Sequence, residues 1–295
     1  MQSRLRFPRV IQTLWTHGNL STMERLCLKS YLDNGHEVHL YTYEGVPNVP
    51  NGVIIKDGNE IISKDFLDYR TFINNGTFAD FFRYKLLYDR GGFWVDTDLI
   101  CLRPFDFEAE YVFGEMGPWG EWIKEPIKVR PLRSPKRAYC DFPIKEVFIG
   151  NPESCISNNC MCAPVGSDIM NVAWEECLKY DPSTIKWSVE VGPGLINKLV
   201  KKFSLEKFVL GTYAFNPVDY NKVRDFINPT VIWNFPPTVY AIHLWSDMWN
   251  GRTNWKDEQT WQITGCLPIL QSKESIVYGS LYGNLVKKYL ESDCA

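Results

Sequence analysis

The sequence predicts an α/β domain built on a mostly parallel central sheet, with helical and looped elaboration. Three observations carry that prediction. The first hundred residues alternate β-rich and helical segments in the rhythm strand, helix, strand, which crossover connections convert into parallel pairing. A second helix runs through Gly91-Gly92 into the short apolar run Phe93-Trp94-Val95. Hydrophobic residues make up 45% of the 295, enough to bury a sizeable core, and no stretch approaches the roughly 20 apolar residues needed to span a bilayer.

Residues 9–15 form a β-rich opening run, followed by a loop at His17-Gly18-Asn19. Ser21-Thr22-Met23-Glu24 is a capping-box pattern, so a helix starts there and stops at Asn34-Gly35. Residues 37–43 alternate as a strand, and 52–56 give another. Residues 77–90 form the second helix, opened by Thr77-Phe78-Ala79-Asp80 as a further capping box. Residues 111–150, and 115–148 above all, are rich in Pro, Trp and Lys with little periodicity, which marks an insertion. Long unstructured connections are uncommon unless they bind something or form a lid. Helices are expected at 168–180 and 193–203, and short strands and turns at 214–217, 231–233 and 240–245. The aromatic tail with Trp245, Trp249, Trp255 and Trp261 is expected to fold back onto the first half.

Charge and cysteine content narrow the function. The 35 acidic and 32 basic side chains leave a net charge of -3, which excludes a protein relying on phosphate neutralisation to hold nucleic acid. Nine cysteines form no even framework. Cys155, Cys160 and Cys162, flanked by Cys140 and Cys177, are spaced by five and two positions rather than as paired C-x-x-C ligands, which favours free thiols over zinc.

Asp96-Thr97-Asp98 follows the short buried strand, at the end of the strand where open α/β sheets take ligands. In an extended segment two carboxylates two residues apart face one side, and hard oxygen ligands suit Mg²⁺ or Mn²⁺ on a diphosphate. Asp80 and Arg83 stand at i and i+3 on a helix that is apolar nearly all round, so these charges need partners. Two accounts stay open for them: a capping and pairing role, or hydrogen bonds to a polyhydroxylated ligand.

The stretch 78–98, with helix, Gly-Gly, strand and Asp96-Thr97-Asp98 in order, resembles the glycosyltransferase sugar-binding family with the DXD motif. That family includes α-1,6-mannosyltransferases, α-1,4-galactosyltransferases and capsule enzymes, and is distantly similar to clostridial glucosylating toxins. The opening run through Leu14, Trp15 and Thr16 resembles the family's first strand, whose tryptophan lies beside the nucleotide base. Ile156-Ser157-Asn158-Asn159 resembles an asparagine segment near the donor sugar, with Asn158 favoured over Asn159. Gly192-Pro193 resembles a loop before a late helix, and Ala241-Ile242-His243-Leu244-Trp245 resembles the segment completing the metal and diphosphate site.

The resemblance implies a single GT-A-like (Rossmann-like) nucleotide-sugar-binding domain over 1–295, with 1–110 as the donor part, 111–150 the insertion and 151–295 the acceptor side and closing segment. It implies a retaining, metal-dependent hexose transfer from a UDP-sugar, with a GDP-sugar as the alternative, to a glycan or other hydroxyl acceptor. Mn²⁺ or Mg²⁺ is expected on Asp96, Asp98 and His243. Asp80, Arg83, Trp94, Thr97 and Asn158 are expected at the donor, and Trp249 is expected to donate its indole N–H to the leaving phosphate. No carboxylate stands out as a covalent nucleophile, and Glu190 is only a supporting candidate.

Two rivals come from other classes. A phosphotransferase or phosphatase also uses D-x-D after an apolar strand, but normally the first strand, with Thr or Val two residues beyond; here position 100 is Ile. A non-catalytic carbohydrate-binding protein would suit the aromatic surplus of 15%. The start Met1-Gln2-Ser3-Arg4 lacks a signal-peptide core, and with nine unpaired-looking cysteines the expected setting is cytoplasmic, including a membrane's inner face. Asn19-Leu20-Ser21 and Asn75-Gly76-Thr77 fit the glycosylation pattern but precede helices as ordinary caps do.

Overall fold

The computed structural model describes residues 9–117, 137–139, 155–185, 190–249 and 273–291. The chain opens with β1 (Ile11–Trp15), α1 (Thr22–Asp33), β2 (Val38–Thr42) and β3 (Ile54–Asp57), then α2 (Asn75–Arg90), β4 (Gly92–Val95) and β5 (Leu99–Cys101). It continues through β6 (Val112–Gly117), β7 (Arg137–Tyr139), β8 (Cys155–Ala163), α3 (Asp168–Cys177), α4 (Pro193–Lys202) and β9 (Val209–Leu210). β10 (Val231–Trp233), β11 (Ala241–His243) and α5 (Leu281–Val286) complete it.

A seven-stranded sheet in the order β3-β2-β1-β4-β8-β6-β9 carries the fold. β3, β2, β1 and β4 run parallel, β8 runs antiparallel to both β4 and β6, and β9 returns parallel to β6. The α/β, mostly parallel expectation therefore holds. β4 is buried along its whole length, as a central strand covered on both faces must be. One core unites α2, α3 and α4 with Tyr41, Trp94 and Met161. The other face packs Leu28 and Tyr31 of α1 against Val38, Phe93 and Cys162. Trp245 and Trp249 join the C-terminal helix in a third cluster on Met23, Leu26 and Cys27 of α1, so this part of the tail does fold back.

Local chemistry sets the element ends. The Ser21 side chain accepts from the Met23 N–H and Glu24 returns to the Ser21 N–H, which realises the expected capping box. The second helix starts earlier than its Thr77 pattern predicts. Its cap is Asn74, whose Oδ1 accepts from the Thr77 N–H at 2.8 Å and from the Thr77 hydroxyl at 3.0 Å. Asp80 is thereby released from any capping role and sits inside the helix. Gly91 ends the helix at φ 62, and a Cβ there would lie 2.8 Å from the Val165 nitrogen, so only glycine allows α2 to turn into β4 this closely.

Other expectations need correction. Residues 112–117 are a strand of the main sheet, so the insertion begins later than residue 111. Apart from β7, the rest of the 111–150 insertion lies outside the described residues, as do Trp255 and Trp261. Of the short strands and turns expected after residue 208, 212–214 form a 3-10 turn. Backbone N–H groups of Tyr240 and His243 donate to the carbonyls of Ala214 and Phe215. β8 was not anticipated as a strand, because its Ser157-Asn158-Asn159 run is polar, yet all nine of its residues are buried.

Candidate active site

The site forms where β4 ends at the centre of the sheet. Asp96-Thr97-Asp98 is not the extended segment expected but a tight turn between β4 and β5, closed by the Leu99 N–H on the Asp96 carbonyl. The carboxylates converge all the same, because each is tied separately. The Asp96 backbone N–H donates to the Asn159 carbonyl of β8 at 2.8 Å. β5 pairs antiparallel with β11, bringing His243 opposite Leu99 and so beside Asp98. Asp96, Asp98 and His243 each offer a ligand atom within 4.8 Å of the others, the one such group of three or more among the described residues. No cysteine among the described residues joins a group of this kind, and Cys140 lies outside them.

Asp98 and His243 form the inner pair. His243 Nε2 lies 3.3 Å from Asp98 Oδ1, and the Ser246 backbone N–H donates to Asp98 Oδ2 at 2.8 Å. Burial opposes the Asp98 charge, but His243 and the Ser246 N–H more than offset it and hold this carboxyl well below the ordinary range. Burial alone would lower His243; Asp98 outweighs it and raises the imidazole instead. The Nδ1 atom of His243 is buried without a hydrogen-bond partner. Asp96 keeps 28% of its side chain exposed, so it is the member of the three that solvent and ligands reach. Two carboxylates, an imidazole and an unused ring nitrogen suit a divalent cation of the Mn²⁺ or Mg²⁺ type.

A second network meets the first at Asp96. The buried Arg83 guanidinium lies 3.2 Å from Asp80 Oδ1 and 3.3 Å from Asp96 Oδ1, and donates to the Asn158 carbonyl at 2.6 Å. Asn158 Nδ2 donates to Asp80 Oδ1 at 2.7 Å. Asp80 Oδ2 is buried and has no partner. Burial above all pushes the Asp80 carboxyl up to about 7, with Arg83 and Asn158 opposing. The asparagine geometry comes from β8 itself: Phe113 pairs with Met161 but Gly114 pairs with Ser157, so residues 158–160 bulge out of the β6–β8 ladder. That bulge aims Asn158 at Asp80 while Asn159 turns to Asn216, donating from Nδ2 at 2.8 Å. Tyr84, one turn beyond Asp80, donates to the Val191 carbonyl and ties the Gly192-Pro193 loop to α2.

Two tryptophans are held by hydrogen bonds within the chain. Trp94 is buried, its indole N–H donating to Asp96 Oδ1 at 2.8 Å and its ring receiving Arg83 at 4.8 Å. Trp249 is fully buried and donates to the Leu244 carbonyl at 2.8 Å, which turns its N–H away from any leaving phosphate. Leu14, Trp15 and Thr16 stand apart from both networks. Extending the Gln12–Trp94 pairing places Leu14 level with Asp96 on the same edge of the sheet, and Trp15 donates to the Gly18 carbonyl at 3.0 Å. Thr97 is half-buried between the two aspartates, and Glu190 is exposed. Ser246 was missed, and Trp245 was named only as the end of the segment that carries His243. A serine acting through its backbone N–H leaves no mark in sequence, and neither does a left-handed tryptophan.

Residues 25–114 match the family model described as glycosyltransferase sugar-binding region containing DXD motif. Over these residues the chain is similar to that sugar-binding region. The match spans α2, the Gly-Gly turn and Asp96-Thr97-Asp98, and it supports glycosyl transfer in general. It ends before Asn158 and His243, which the geometry brings beside Asp80 and Asp98. No curated protein matches. Among solved structures, the PaToxG glycosyltransferase is 13% identical over 67% of this chain and 70% of that one, with a TM-score of 0.43. The WbbM bifunctional glycosyltransferase is 12% identical over 68% of this chain and 38% of that one, with a TM-score of 0.38.

Proposed function

We propose that the protein is a metal-dependent, retaining glycosyltransferase that moves a hexose from a nucleotide-diphosphate sugar, a UDP-sugar in preference to a GDP-sugar, to a glycan or other hydroxyl acceptor. The observation that carries this reading is the convergence on Asp96 of two sets: Asp98 with His243, and Arg83 with Asp80 and Asn158. Asp96, Asp98 and His243 would hold the divalent cation, which when bound neutralises charge on a departing diphosphate. Asp80, with a free buried oxygen, accepts hydrogen bonds from sugar hydroxyls, and Arg83 and Asn158 fix its orientation. Leu14, Trp15 and Thr16 offer the nucleoside a wall at the neighbouring strand end. In the transfer, the acceptor oxygen bonds to the anomeric carbon as the carbon–oxygen bond to the diphosphate breaks. The bonding pair leaves with the diphosphate, and the acceptor proton passes to a phosphate oxygen on the same face. Configuration is kept without a covalent nucleophile.

A thermal-shift panel of UDP- and GDP-sugars, each with and without Mn²⁺, tests this. The expected result is stabilisation by one nucleotide class that depends on Mn²⁺. A panel in which no nucleotide sugar raises the unfolding temperature would refute the reading.

A further inference from the structure

Trp245 adopts φ 57, one of two non-glycine residues with positive φ among the described residues. For a bulky side chain this left-handed conformation is strained, and it persists only where the surroundings enforce it. The residues on either side both bind Asp98: the Leu244 N–H donates to the Asp98 carbonyl at 2.9 Å and the Ser246 N–H to Asp98 Oδ2 at 2.8 Å. The left-handed turn at position 245 is what lets the next amide reach that carboxylate. The indole holds the turn in place. Its N–H donates to the Val218 carbonyl at 2.8 Å, its ring lies 4.0 Å from the His243 ring between centroids, and Tyr220 stands edge-on against it at 6.2 Å.

We infer that Trp245 is a positioning residue for the cation site: its anchored indole locks a strained turn that orients Asp98 through the Ser246 amide and braces His243 through the ring. This inference rests on the reading of Asp96, Asp98 and His243 as cation ligands. Partners that orient ligands typically change metal affinity by about 10–100-fold when removed. Trp245 touches neither donor nor acceptor in this account and acts only through those two ligands.

The test compares the wild type with W245F, which keeps a ring against His243 but loses the N–H to Val218, and W245G, which accepts positive φ and loses the ring. The readouts are the Kd for Mn²⁺ alone, from electron paramagnetic resonance of the free ion, and the unfolding temperature in EDTA and in Mn²⁺. The expected result is a Kd raised about tenfold in W245F and further in W245G. The unfolding temperature in EDTA should change little while the increment given by Mn²⁺ shrinks. Folded variants with wild-type Kd values overturn the role of Trp245 and leave the cation site standing. If W245G fails to fold, W245F decides alone, and failure of both to fold overturns the role by making Trp245 a core residue. A wild type that takes up no Mn²⁺ overturns the cation site and this inference together.

Discussion

Asp80 is a buried carboxyl with one oxygen bonded to Asn158 and the other bonded to nothing. Its value is pushed up to about 7, so the native state binds this proton more tightly than the unfolded chain does. The stability linked to it is fully present below the ordinary carboxylate range and is lost as pH rises through about 7. Asp80→Asn removes that dependence. The stability of the wild type relative to the variant should therefore fall between pH 4 and pH 7, by up to about 1.4 kcal/mol per pH unit, as read by chemical denaturation. A constant gap would mean that Asp80 stays ionised in the fold. Asp80→Ala separates the site role from the structural one: transfer should collapse while affinity for the bare nucleoside diphosphate changes little. Equal losses of both would return Asp80 to ion pairing with Arg83.

Among the elements, the junction of α2 and β4 was legible in sequence because its signals are chemical: an apolar helix, a glycine pair that permits positive φ, and a short buried strand. Gly91→Ala should lower stability by about 1–3 kcal/mol, the usual cost of enforcing a disfavoured backbone conformation, and more if the Val165 nitrogen cannot move. Calorimetry checks this, and a variant melting with the wild type would contradict the packing described. β8 was illegible for the opposite reason. Its polar Ser157-Asn158-Asn159 run carries no strand pattern, since Asn158 and Asn159 are satisfied by Asp80 and Asn216 from distant parts of the chain. The DXD turn shows the same limit: residue type fixed the chemistry, whereas the turn and the β5–β11 pairing that bring His243 to Asp98 depend on tertiary contacts. Trp249 was misjudged because sequence shows a donor but not the Leu244 carbonyl that takes it.

At the scale of the molecule, no helix among the described residues is long and apolar enough to cross a membrane. Cys27, Cys101, Cys160, Cys162 and Cys177 are all buried and free. Burial raises the Cys27, Cys101, Cys160, Cys162 and Cys177 thiols, which keeps them protonated and unreactive. Alkylation of denatured protein that was never reduced should therefore count at least these five thiols, and a lower count would contradict the packing of β8 and α1. The cytoplasmic setting proposed from sequence requires the same of the remaining cysteines. The proposed function requires that the sheet, the β8 bulge and the β5–β11 pair bring a cation and a nucleotide sugar together at Asp96, Asp98 and His243. The most direct measurement is Mn²⁺-dependent release of nucleoside diphosphate from a nucleotide sugar by wild type and by Asp98→Asn. Release by the wild type that stops on Mn²⁺ removal, and a folded variant with no release at low Mn²⁺, is the result predicted. Near-normal turnover by the folded variant at low Mn²⁺ would contradict it.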